Sequence, residues 1–253
     1  MPTRNPSSPA AALNGVMSPA LPLEHGRTVR SMFGRIAEPY DFLNRFFSLG
    51  IDLWWRYRLV SAVVKSFKTQ NSKSSRVLDL ATGSGDVARM LIRKNLKVVG
   101  CDFCLPMLDQ ARKKGIPTLV AGDALRLPFT VNSFSAATVA FGLRNFGDRI
   151  TAMKEILRVL EPGASLHILE FTRPQEWFCG LYFFYLKYVM PKLASVFCPD
   201  PQAYCYLAST VEHFPRVEEI AGELRDSGFK EVHWQRMTMG IVAIHSGTKE
   251  VPH

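Results

Sequence analysis

What this sequence lacks narrows its class. It has five cysteines (Cys101, Cys104, Cys179, Cys198 and Cys205), an odd number at irregular spacing. That pattern argues against a disulfide framework and for a reducing, cytoplasmic setting. Cys101 and Cys104 form a close pair, but no second ligand pair follows at zinc spacing, so no metal site is expected and the pair reads as strand-end packing. No apolar core follows a basic start, so export is not expected. The aromatic stretch "EWFCGLYFFYLKYVMPKLASVFCPDPQAYCYL" is broken by Lys187, Pro191 and Lys192, too soon for the roughly 20 apolar residues of a membrane span.

Charge is present in excess of one sign. The 31 basic and 22 acidic residues leave +9 over 253 residues. That balance favours anionic neighbours: nucleic acid, an acidic substrate or an anionic membrane surface. Residues 1–26 hold five prolines and many Ser and Ala without a sustained apolar run, which reads as a disordered tail. From residue 27 to 70 apolar residues recur every three or four positions, broken at Pro39 and Gly50. Two or three cap helices are expected there.

Beyond "KTQNSKSS" the period changes. Strand-like runs at 76–81, 97–101, 117–120, 136–141 and 165–171 alternate with helix-like runs at 86–94, 105–114 and 149–160. An aromatic helical insert follows at about 176–212, then a helix at 217–227 and two closing strands. Continuous apolar strands between amphipathic helices mean an α/β fold: a doubly wound, mostly parallel sheet over 75–250, helix-covered on both faces. Such sheets bind ligands beyond the carboxyl ends of their strands.

The strand tips are where this sequence is unusual. "VLDLATGSGD" places Asp79 at the first tip, then Gly83 and Gly85, which permit positive φ and close backbone approach. The spacing also fits a dinucleotide fingerprint. Charge decides between the readings. A pyrophosphate wants positive potential, whereas Asp79 and Asp86 suit a ligand with a cationic amino group. Asp102 ends the second strand, 19 residues after Gly83, where a carboxylate accepts ribose hydroxyls. At the third tip, "LVAGDALRLPF" offers Asp123 and the Ala124 backbone to an adenine edge. Carboxylates at three consecutive tips, without a basic cluster, point to S-adenosylmethionine.

"VLDLATGSGD", "DALRLPF", "FGLRNF" and "RVLEPGASLHILEF" resemble the class I S-adenosylmethionine-dependent methyltransferases, a Rossmann-like fold with a seven-stranded sheet. Within that class the chain is similar to the ubiquinone/menaquinone biosynthesis C-methyltransferase family, from "VRSMFGRIAEPYDFLN" to "TMGIVAIHSG". "FGLRN", "YDFLN" and "YCYLASTVEHFP" are the most family-specific stretches. The resemblance implies cofactor contacts at Ser84, Asp102, Asp123, Ala124 and Ala140, and a polyprenyl quinol as acceptor. Demethylmenaquinol is the expected acceptor, with the 2-methoxy-6-polyprenyl-1,4-benzoquinol of ubiquinone synthesis as the alternative. Ala81 stands where many methyltransferases carry the loop's first glycine, a departure of small expected cost.

The fourth strand, "FSAATVAFGLRN", delivers Arg144 and Asn145 from its tip. A ring carbon beside a hydroxyl becomes nucleophilic as the phenolate forms, and a phenolic pKa near ~10 must fall for that. A guanidinium and an amide aimed at the oxygen favour the anion. Arg144 and Asn145 are therefore the catalytic candidates, with Asp41 as a base, and Tyr40, Arg144 and Tyr204 as acceptor contacts. The alternative for Arg144 is an ion pair to Asp148 or a helix end, and for Asp41 a helix cap. No Asn/Asp-Pro-Pro-aromatic tip is present, so nucleic acid is not the expected partner. The aromatic insert suits a polyprenyl tail and contact with anionic lipid at the inner membrane surface. No feature specifies an oligomer.

Overall fold

A computed structural model describes residues 22–38, 40–69, 76–197, 206 and 209–252. The tail to residue 21 lies outside them, as do Pro39, Cys198, Tyr204 and Cys205. Three helices precede the sheet: α1 (Pro22–Ile36), α2 (Tyr40–Phe47) and α3 (Ile51–Thr69). α1 begins inside the stretch expected to be tail. Pro22 at its first position has the φ a helix needs, and the amide it lacks would be unbonded there. Gly50, at φ +79°, makes the turn from α2 into α3, as its place in the apolar pattern suggests.

Seven strands form one sheet in the order β3-β2-β1-β4-β5-β7-β6. These are β1 (Arg76–Leu80), β2 (Lys97–Asp102), β3 (Leu119–Ala121), β4 (Phe134–Ala140), β5 (Leu160–Phe171), β6 (Lys230–Met237) and β7 (Val242–Thr248). β1 to β5 run parallel, and β7 lies antiparallel between β5 and β6. β5 begins five residues earlier than its apolar run. A register shift between Phe134 and Ala136 of β4 lets Pro162 and Gly163 stand inside it, the usual place for both residues in a strand.

Alternating side chains feed two cores. Leu78, Val99, Ala137 and Ile168 pack under α6 (Arg149–Val159) and α9 (Val217–Asp226). Val77, Val98, Ala136 and Leu169 pack under α3, α4 (Asp86–Ile92) and α5 (Leu105–Lys113). Burial on both faces is why these strands read as unbroken apolar runs.

The insert forms α7 (Glu176–Phe184), a π-helical turn (Tyr185–Val189) and α8 (Met190–Phe197). Tyr182, Leu186 and Met190 join Met32, Ile36 and Leu43 in a third apolar cluster. It roofs the carboxyl ends of β4 and β5 through Phe171. No helix among the described residues is long and apolar enough to cross a membrane. Cys101, Cys104 and Cys179 carry no disulfide, and no His/Cys/Asp/Glu group among the described residues is placed to hold a metal. Burial, then nearby carboxylates, push the Cys101 thiol up to about 12, so it packs as an inert apolar group.

Candidate active site

The strand order reverses between β1 and β4, and there the loop after β1 meets the tip of β4. The contact is tight: a Cβ on Gly142 would stand 2.5 Å from the Ala81 methyl. Ala81 holds φ +53° and Phe141 φ +58°, left-handed values that cost a non-glycine residue about 1 kcal/mol or more. The departure at Ala81 is thus costlier than its sequence suggests. It strains its own backbone and leaves room only for glycine at 142.

Asp79 is buried behind the loop. Its carboxylate accepts hydrogen bonds from Thr82 Oγ1 (2.6 Å), Thr138 Oγ1 (2.7 Å) and the Ala88 amide (3.1 Å). Burial raises its pKa to about 6 against those bonds. Asp79, 1% exposed, therefore shapes the loop with its carboxylate engaged by Thr82, Thr138 and Ala88. Gly83 and Gly85 hold φ +55° and +82°, as expected of the loop.

At the second tip Asp102 accepts the amides of Gly83 (2.8 Å) and Cys104 (2.9 Å), one on each oxygen. Burial raises its pKa despite these bonds. A carboxylate has about four acceptor positions, so capacity for a ribose diol remains. Asp123 is exposed at the third tip and accepts the Leu125 amide (2.9 Å), while Ala124 beside it is buried. Ala140 stands half-buried at the end of β4.

Among the described residues, two of the cations near the loop are paired with carboxylates. Lys114 pairs with Asp86 (2.7 Å) and with Asp41, and Arg45 pairs with Asp86 (3.1 Å). Carboxylates thus outnumber free cations at the strand ends, which fits hydroxyls and an ammonium and opposes a pyrophosphate. The donor and acceptor set fits S-adenosylmethionine.

This cluster also relocates two expected site residues. Asp41 bonds Lys114 and accepts the Ser84 hydroxyl at 2.5 Å. Ser84 in turn accepts Lys114 Nζ at 3.0 Å. Asp41 therefore ties α2 to the glycine loop through Ser84 and Lys114, and it is not among the residues that line the chamber beside Arg144. Ser84 keeps its place on the loop with its hydroxyl already engaged.

Arg144 is buried in a short 3₁₀ turn, Leu143–Asn145. Its Nη1 donates to Glu170 Oε1 (2.6 Å) and to the Phe141 carbonyl (2.7 Å). The partner is Glu170 at the tip of β5, not Asp148, which caps α6 through Thr151. Burial works against the guanidinium charge, but Glu170, with Tyr40 and Tyr206, acts the other way and the pKa is raised. Arg144 Nε is buried with no hydrogen-bond partner. Asn145 accepts from the Tyr206 hydroxyl at 3.2 Å.

Arg144 faces a chamber shared with Tyr40, Tyr206, Phe141 and Phe171, roofed by Met32, Phe33 and Ile36. Asn44, Ser48, Asp52, Trp55 and Arg56 complete the lining. Tyr40 and Arg144 are brought together as expected. Glu170, Asp52 and Arg56 were not anticipated. Glu170 carried the same strand-tip signal as the other acids, in "HILEF", and Asp52-x-x-x-Arg56 carried helical pair spacing.

Comparison with known proteins follows this geometry. Residues 23–249 match the ubiE/COQ5 methyltransferase family. A demethylmenaquinone methyltransferase from Corynebacterium kroppenstedtii is 42% identical over 224 residues, covering 88% of this chain and 95% of the relative. One from Thermus thermophilus is 42% identical over 226 residues, covering 86% and 100%. Among solved structures, a SAM-dependent methyltransferase from Thermotoga maritima superposes with TM-score 0.60 at 20% identity, covering 87% of this chain and 99% of that one. A Haemonchus contortus phosphoethanolamine N-methyltransferase 2, solved with S-adenosyl-L-methionine, gives 0.56 at 16% identity, covering 83% and 59%. The solved structures share the fold, while the sequence match spans cap, sheet and closing strands, and on that match the chain belongs to the ubiE/COQ5 methyltransferase family.

Proposed function

We propose that this protein transfers the methyl group of S-adenosylmethionine to a ring carbon of demethylmenaquinol, a polyprenyl naphthoquinol. One observation carries the acceptor side: Arg144, its side chain 6% exposed, lines a chamber at the tip of β4 with its Nε buried and unpartnered. The names of the bacterial relatives support the choice of acceptor.

Bound S-adenosylmethionine supplies a methyl group made electrophilic by its sulfonium. Asp102 is suited to the ribose hydroxyls, Asp123 and Ala124 to the adenine edge, and Gly83, Ser84, Gly85 and Ala140 to the amino-acid end, with Asp79 contributing negative field. Arg144, steadied by Glu170, donates to the acceptor oxygen. A hydrogen bond from a charged group contributes about 1.5–3 kcal/mol, which lowers a phenolic pKa by about one to two units at 1.36 kcal/mol each. Tyr40 holds the same oxygen or the water that takes its proton, and Asn145, just outside the lining, holds the Tyr206 hydroxyl. The apolar roof excludes bulk water and fixes the ring carbon for in-line attack.

The chamber is about 70 Å³, room for a few waters, beneath the α1–α2 roof. Leu49, in the turn after α2, is 88% exposed, and Trp177, on α7, is 72% exposed. Exposed apolar area of this kind suits a lipid surface that carries the isoprenoid acceptor, with the basic net charge favouring anionic headgroups.

The test is incubation of the purified protein with trideuteromethyl-labelled donor and demethylmenaquinol, read by mass spectrometry. Ring-trideuteromethylated menaquinol is expected. Preferential labelling of 2-methoxy-6-polyprenyl-1,4-benzoquinol, or of tRNA, would overturn the assignment.

A further inference from the structure

The chamber has a second buried arginine built like the first. Arg56, on α3, is 6% exposed, and its Nη1 donates to Asp52 Oδ2 at 2.5 Å and to the Asp52 carbonyl at 3.3 Å. Asp52 is 4% exposed and also accepts the Ser48 hydroxyl at 2.9 Å. The hydrogen bonds of the Arg56 guanidinium run from Nη1 to Asp52, and Arg56 lines the same chamber as Arg144. Each guanidinium rests on a separate aromatic ring: Arg56 lies 5.1 Å from the Phe141 centroid and Arg144 5.3 Å from that of Phe171. The two rings touch, with centroids 4.9 Å apart.

The chamber therefore has two cationic poles, each fixed by its own carboxylate, separated by apolar rings. Maintaining two buried ion pairs is costly in desolvation, and one acceptor oxygen would account for only one of them. Building on the reading above, we propose that Arg56 binds the second oxygen of the acceptor, so that the site recognises a 1,4-dihydroxyaryl ring at both ends and discriminates against a monophenol. Asp52 is its positioning residue. Ser48 holds the Asp52 carboxylate, and Phe141 sets the height of the guanidinium.

The test compares demethylmenaquinol carrying a short prenyl chain with 3-prenyl-1-naphthol, which keeps the oxygen beside the methylated carbon and lacks the other. The wild-type protein should use the diol about tenfold to hundredfold better in kcat/KM, the range set by loss of one charge-assisted hydrogen bond. Arg56→Gln should abolish that preference by lowering kcat/KM on the diol alone, with S-adenosylmethionine affinity unchanged by calorimetry. A readout independent of turnover is the Kd of short-chain menaquinol, followed by fluorescence of Trp55 in the chamber wall, which should weaken by the same factor. If Arg56→Gln does not fold, Asp52→Asn combined with Arg56→Gln removes both buried charges and carries the same expectation. A folded variant that still prefers the diol overturns the proposal. Equal wild-type use of the two compounds overturns it while leaving quinol methylation intact. Transfer to neither compound refutes the broader assignment and this proposal with it.

Discussion

Replacing Arg144 with alanine removes two things at once, a buried charge partner and the proposed acceptor contact, and a second substitution separates them. Glu170 is 1% exposed and would lose its guanidinium. It keeps the amides of Phe171 (2.9 Å) and Arg144 (3.2 Å). Breaking a buried ion pair costs about 3–5 kcal/mol, and the two remaining amides place this case near 3. For a domain of this size that lowers the melting temperature by about 6–12 °C. Adding Glu170→Gln removes the stranded charge, but its single side-chain oxygen keeps only one of the two amides, which sit on separate carboxylate oxygens, so less than half of the loss should return. Turnover should not return. A donor aimed at a developing oxyanion is worth about 10²–10³ in kcat, and the double variant lacks it. Thermal melts, calorimetry with S-adenosylmethionine and labelled methyl transfer to demethylmenaquinol read the three quantities. A folded Arg144→Ala/Glu170→Gln protein that turns over within about tenfold of wild type, or that has lost donor binding, would refute the acceptor-side role.

Acid should destabilise the fold. His167 and His245 are buried and neutral, with pKa values lowered by burial to about 4 from 6.5, so the unfolded chain takes up protons first and stability falls as pH drops from 6.5 toward 4. Asp79, raised to about 6 from 3.8, acts in the opposite sense between those values and offsets part of the loss. Melting temperatures at pH 7.5 and 5 should differ accordingly, and His167→Gln should flatten the slope; a melting temperature that rises toward pH 5 would contradict the assignment. Gly142→Ala should cost about 1–3 kcal/mol by overpacking, and Ala81→Gly in the same chain should recover most of it, since the clash is methyl on methyl. Melts that show simple additivity would refute that contact. Leu49→Ser with Trp177→Ser should weaken sedimentation with anionic vesicles about tenfold or more without changing the melting temperature; unchanged sedimentation would remove the lipid-facing assignment.

The strand tips were readable because burial on both faces leaves polar residues there few uses. Asp102, Asp123 and Arg144 fell where the alternation of runs placed them. Partners across the fold were not readable. Asp41 sits one residue after Tyr40, yet its carboxylate turns to Lys114, 73 positions away in sequence, while the tyrosine lines the chamber. Asp52 and Arg56 have the spacing of an ordinary helical ion pair, and spacing reports that two side chains meet but says nothing about what covers them. The early start of β5 was hidden by Pro162 and Gly163, which only a register shift in the neighbouring strand accommodates. Glu170 was legible and was passed over, since its tip lay beyond the three used for the nucleoside.

The most direct test of the account is a crystal structure of the protein with S-adenosylhomocysteine. It should show the ribose diol on Asp102, the adenine edge against Asp123 and Ala124, and the sulfur opening toward the chamber that Arg144 lines. A nucleoside seated elsewhere, or a sulfur turned away from Arg144, would contradict it.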